Sequence, residues 1–150
     1  MNDNYFRTNE QQDFELLENL NSQLHWFTAI TQTQRNAQID ALGDRNGKEY
    51  AIEIKRRHCS ISKYDALYIE DYKYLELMLE HTFNGRIPLY INFLDDAVVV
   101  YNLLTINDKP SFSMLPITSK GYEHTTNERR YKLKLTDAAI YNKDKCKTTN

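Results

Sequence analysis

Two carboxylates and a lysine are spaced to do chemistry in this 150-residue chain: Asp40, then twelve residues, then Glu53-Ile54-Lys55. Between them lies Asn46-Gly47. This dipeptide is the strongest short signal for a hairpin, because a two-residue type I′ turn needs positive φ at both central positions. With that turn, position 45 faces 48, 42 faces 51, 40 faces 53 and 38 faces 55. Asp40 then lies opposite Glu53, and Lys55 projects from the same face because strand side chains alternate with period two. Like charges directly across a ladder repel, so a pure scaffold avoids this pairing unless a cation sits between them. Carboxylate oxygens suit a hard divalent cation such as Mg²⁺ or Mn²⁺, and the Ile54 carbonyl could add a third oxygen. Lys55 could orient an attacking water or stabilise charge that builds on an attacked phosphate.

The elements that must hold these residues follow from periodicity. Residues 8–24 predict a first helix with Phe14, Leu17, Leu20 and Leu24 on one side and Thr8/Gln11 as a T-x-x-Q capping box. Trp26–Thr33 predicts a first strand, and Gln38–Leu42 with Glu49–Lys55 the hairpin. Ser62 and Asp65 predict the start of a second helix running to Thr82, stopped by Asn84-Gly85. In that helix Glu70, Lys73, Glu76 and Glu80 populate the solvent side, and the tyrosines 64, 68, 72 and 74 fit core packing better than base stacking. Pro88–Phe93 and Ala97–Leu103 predict a second, buried hairpin around Asp95-Asp96. Residues 107–127 read as irregular, Tyr131–Leu135 as a last strand followed by a short helix or turn, and 142–150 as a frayed tail of a single domain.

The pattern Asp40…Glu53-Ile54-Lys55, in the order helix, strand, hairpin, helix, resembles the PD-(D/E)xK nuclease superfamily, which includes Holliday-junction resolvases and restriction endonucleases. The resemblance covers roughly residues 8–103 and departs from the motif's name at Ile39, where a proline would stand. It implies an α/β fold, a mixed central sheet flanked by helices. It further implies a Mg²⁺- or Mn²⁺-dependent endonuclease acting on DNA, with RNA left open. In that reading Asp40 and Glu53 (with the Ile54 carbonyl) hold the ion and Lys55 is the catalytic lysine. Small members often pair as homodimers to cut both strands, and the chain's size suits a structure-selective, phage or mobile-element nuclease. Many members also carry an acid on the first helix. Helical projection puts Glu10 and Asp13 beside the apolar stripe, but a solvated acidic face that favours the helix N-terminus explains Glu10, Asp13, Glu15 and Glu18 better, and they stay outside the predicted site.

Arg56, Arg57 and Lys63 follow the motif and would position phosphates, or else form an ordinary charged strand end. Arg129, Arg130, Lys132 and Lys134 look like a basic edge strand, a device that either touches a nucleic-acid backbone or resists aggregation. The net charge of -2 excludes a sequence-blind coating of nucleic acid. It is a cancellation, however: residues 35–63 carry seven bases and four acids, and residues 64–83 one base and five acids. Two cysteines 87 positions apart and four scattered histidines support neither a disulfide framework nor a zinc site. The polar start and the lack of a long apolar run point to a cytoplasmic protein without a membrane span. The rival from another class is a catalytically silent nuclease fold that serves as a nucleic-acid or protein binding module.

Overall fold

The computed structural model describes residues 3–34, 37–106, 111–116 and 127–143. The first helix, α1 (Asp3–Leu24), begins five residues before Thr8, so Thr8 lies inside it and not at its start, where the T-x-x-Q reading put it. No breaker interrupts residues 3–8, and an acid in the first turn favours the helix N-terminus. Leu17 and Leu20 are buried, as their spacing predicts. His25, at φ 51°, ends the helix. The Asn21 side chain then brackets Phe27, accepting its N–H at 2.8 Å and donating to its carbonyl at 3.2 Å. This clamp turns the chain into β1 (Ala29–Gln32).

The hairpin forms with the predicted turn and register. Asn46 and Gly47 have φ of 51° and 76°, and β2 (Ala41–Arg45) pairs antiparallel with β3 (Lys48–Arg56) through Arg45–Lys48 and Leu42–Ala51. The ladder stops at Ala41–Ile52, so the expected pairs 40–53 and 38–55 are not ladder pairs. The chain enters β2 only after this point, with the Asp40 N–H bonded to the Ile52 carbonyl at 3.0 Å. Gly43 is the close-approach position of β2: a Cβ on it would lie 2.8–2.9 Å from two ring carbons of Phe27. Gly43→Ala is therefore expected to cost about 1–3 kcal/mol of stability, read as a lower urea midpoint at unchanged slope, as overpacking does.

Residues 61–84 do not form one helix. Ser62 belongs to a 3-10 turn (Ile61–Lys63), β4 (Ala66–Glu70) follows, and α2 runs only from Asp71 to Asn84. Leu67 and Ile69 are buried in alternation with half-buried Tyr68 and Glu70, a period-two pattern only four residues long that the helical period beyond it masks. A strand partner some sixty residues away decides the matter. It is β8 (Asn127–Lys134), with Leu67 opposite Leu133. Gly85, at φ 69°, caps α2 as predicted.

The second hairpin is β5 (Ile87–Phe93) and β6 (Ala97–Asn102), both almost wholly buried, as continuous apolar runs require. Two further strands correct the sequence reading. β7 (Ser111–Pro116) lies within the stretch read as irregular, and β9 (Ala139–Asn142) follows a 3-10 turn after β8. Residues 107–110, 117–126 and the end of the predicted tail, 144–150, lie outside the described residues.

The result is a six-stranded mixed sheet in the order β1-β2-β3-β5-β6-β9, with β3 and β5 parallel, and a three-stranded sheet β4-β8-β7. α1 covers one face of the large sheet through Leu17, Leu20, Ile52, Ile54, Ile91 and Val98. α2 and the small sheet cover the other through Leu67, Ile69, Leu77, Tyr90, Val99 and Leu133. This is the mixed sheet flanked by helices that the sequence pattern implies. No helix among the described residues is long and apolar enough to cross a membrane.

Candidate active site

The C-terminal end of β3 carries the candidate chemistry. Ile52 and Ile54 point into the core beneath α1, so Glu53 and Lys55 point to the opposite face, towards β4 and α2. Asp40 stands just before the start of β2, and its Oδ2 accepts the Ile54 N–H at 2.8 Å. A side chain thus replaces the missing ladder partner. In a strand the N–H and C=O of one residue point to the same side, so the Ile54 carbonyl also faces the space before the start of β2.

Glu53 is 2% exposed, which no sequence pattern demanded of a charged residue. Burial first, and the Asp40 charge second, push its carboxyl up to about 8, against the pull of Lys73 from α2. Lys73 Nζ pairs directly with Glu53 Oε1. Burial lowers the lysine, but the charges of Glu53 and Asp40 outweigh it and hold Lys73 above the usual lysine range. Lys55 is half exposed, with its Nζ 3.6 Å from Glu70 Oε1 at the end of β4. Burial raises Glu70, yet Lys55, a backbone N–H, Lys73 and Arg130 together bring it below the ordinary carboxylate value.

Lys73 and Glu70, assigned to a solvated helix face on sequence, therefore belong to the site. The error followed from running one helix from 62 to 82, which rotates both positions away. The signal that could have singled out Lys73 is that it is the one base among five acids in residues 64–83.

The first-helix acid also comes to the site. Asp13 is raised mainly by burial, with Arg56 pulling it down and Asp40 pushing it up. Glu10 lines a hollow with Phe14, Thr33, Ile39, Asp40 and Ile54. The predicted phosphate-positioning arginines have protein partners. Arg56 Nε lies 2.5 Å from Asp13 Oδ1, and its Nη atoms donate to Gln12 at 3.1 Å and Asn9 at 3.0 Å, tying β3 to α1. Arg57 donates to Asn92 Oδ1 (3.1 Å), to the Tyr68 carbonyl (2.9 Å) and to the Tyr90 hydroxyl (3.1 Å), tying β3 to β4 and β5. Lys63 is exposed on the 3-10 turn.

Two acids, one of them buried, lie in the field of Lys73, which pairs with Glu53, and Glu53 stays raised despite that partner. Their oxygens are hard donors, so the residues fit Mg²⁺ or Mn²⁺. Among the described residues no three His, Cys, Asp or Glu side chains converge as a ligand cluster. An ion here would be held by the Asp40 and Glu53 carboxylates and the Ile54 carbonyl, with water completing its shell.

The raised Glu53 has a sign for stability. The folded chain keeps a proton that the unfolded chain releases between about pH 4.5 and pH 8, so this group's contribution is fully present below the lower value and is lost as pH rises through the upper one. In metal-free protein, Glu53→Gln should accordingly gain in Tm relative to wild type between pH 5 and pH 8. A constant difference across that window would show that Glu53 ionises normally.

The sequence matches no family model and no curated protein. Among solved structures the chain is similar to Hjc, a Holliday junction resolvase of Archaeoglobus fulgidus, at 13% identity and a TM-score of 0.46 over 71% of this chain and 75% of that one.

Proposed function

We propose that the chain is a metal-dependent nuclease that hydrolyses phosphodiester bonds of DNA as an endonuclease. The observation that carries this reading is the Asp40 carboxylate bonded to the Ile54 N–H, which gathers Asp40, Glu53 and Lys55 around the end of one strand. Mg²⁺ or Mn²⁺, when bound, would supply Lewis-acid activation of water and neutralise charge on the phosphate. Asp40 and Glu53 hold the ion. Lys55, half exposed beside them, orients the water and meets the charge that develops on the phosphorus-bound oxygens. Glu70 holds the Lys55 ammonium in place, and Lys63 reaches a neighbouring phosphate from the exposed turn.

The test is cleavage of single-stranded, duplex and branched DNA, and of RNA, with and without Mg²⁺ or Mn²⁺. Asp40→Ala, Glu53→Ala and Lys55→Ala should each abolish it. Activity that survives all three changes, or that needs no divalent ion, overturns the reading.

The Glu53–Lys73 pair favours a second reading, a silent nuclease fold acting as a binding module, because a lysine already sits where an ion would bind. Calorimetric titration with Mn²⁺ separates the two. A binding module shows no heat assignable to Glu53, whereas the nuclease shows heat that Glu53→Gln removes.

A further inference from the structure

We propose that the outer face of the small sheet, formed by Arg130, Lys132 and Lys134 of β8 with Tyr68 of β4, is the surface along which a nucleic-acid backbone runs into the site. This inference rests on the nuclease reading for where that backbone leads.

A basic edge strand has a mundane purpose, but β8 is not an edge. It is the central strand of the small sheet, paired with β4 on one side and β7 on the other. Protection of an open edge therefore does not account for its bases. Their placement follows the pleat. Leu133 is buried in the core and Tyr131 packs on Tyr74 of α2, with ring centroids 4.7 Å apart. Arg130, Lys132 and Lys134 alternate with these residues and take the opposite face, in a line about 13 Å long at roughly 3.3 Å per residue.

Across the ladder, Lys132 faces Tyr68 and Arg130 faces Glu70. Tyr68 spends its carbonyl on Arg57 and Tyr90, and as a half-buried aromatic beside a lysine it offers a ring on which a base can stack. Glu70 joins the face to the site, since the same carboxylate pairs with Lys55. The line of cations thus ends at the lysine of the proposed centre. A row of positive charge along one strand, with an aromatic beside it, complements a phosphate backbone. It also accounts for nucleic-acid binding by a chain whose net charge is -2, because the attraction is local.

The experiment measures anisotropy of labelled single-stranded and duplex oligonucleotides on the full chain in EDTA, between 50 and 200 mM salt. Lys132→Gln with Lys134→Gln should lower affinity at least tenfold at about 100 mM salt and flatten the log–log salt slope by roughly 1.4 to 1.8, since each backbone contact contributes about 0.7 to 0.9. Arg45→Gln with Lys48→Gln, the same charge change on exposed residues of the β2–β3 turn, should leave the slope unchanged.

An unchanged slope in the double variant overturns the proposal. So does binding to vesicles containing phosphatidylserine without binding to either oligonucleotide. Wild-type cleavage assayed in parallel keeps the two readings apart. Cleavage with an unmoved slope removes this surface and leaves the nuclease. A moved slope without cleavage under any divalent ion keeps the surface and removes the nuclease.

Discussion

Glu53→Gln is expected to lower divalent-dependent cleavage about a thousandfold while the chain stays folded. Glutamine keeps the shape and one carbonyl oxygen but loses the negative charge that would hold the ion. Charge stabilisation by a bound ion amounts to several kcal/mol, and each 1.4 kcal/mol is a factor of ten in rate. The fold should survive because the substitution removes a buried charge rather than packing. Glu53 is 2% exposed and already disposed to neutrality, with its carboxyl pushed up to about 8. Single-turnover cleavage and thermal unfolding on the same sample check both halves. A variant that cleaves within tenfold of wild type would remove Glu53 from the chemistry, and a variant that is unfolded would make the charge structural.

Lys73→Met should cost the metal-free protein stability in a manner that depends on pH. Removing one partner of a buried ion pair costs about 3–5 kcal/mol when the other is left charged. Glu53 has an escape, since it can take up a proton, and its raised pKa makes that escape easy near neutrality. Near pH 5.5 Glu53 is protonated in the folded wild type too, so the variant should lose little. Above pH 8 the folded wild type releases the proton while the folded variant retains it, so the loss should approach the upper part of that range. Denaturant titrations at the two pH values measure this difference. A loss independent of pH would assign Lys73 a packing role. Mn²⁺ should then raise Tm more in Lys73→Met than in wild type, because the ion no longer competes with the ammonium for Glu53.

Local signals in the sequence were sufficient wherever a structure closes on itself within a few residues. Asn46-Gly47 specified both a turn and a register, and the pairs 45–48 and 42–51 follow from it without reference to the rest of the chain. Gly85 ended α2 for the same kind of reason, since few other residues adopt φ near 69° without strain. The apolar runs of β5 and β6 announced their own burial. What failed was long-range. β4 read as helix because its partner β8 lies about sixty residues on, and an alternation of four residues is weaker than the helical period that follows it. β8 read as an edge because its second neighbour, β7, came from a stretch with too many breakers to be recognised as a strand.

The candidate site divides along the same line. Sequence alone determined which three residues stand at the end of one hairpin, because a tight turn fixes register and register fixes the face. Only the tertiary structure decided what surrounds them. Lys73 reaches Glu53, Glu70 holds Lys55, Asp13 comes within the field of Asp40, and Arg56 and Arg57 are drawn into clamps between elements. These partners come from α1, β4 and α2, whose orientation about β3 is set by burying two separate apolar faces of the large sheet. Periodicity specifies which side of an element is buried but not which residue of another element it meets, and for the charge on Glu53 that meeting is decisive.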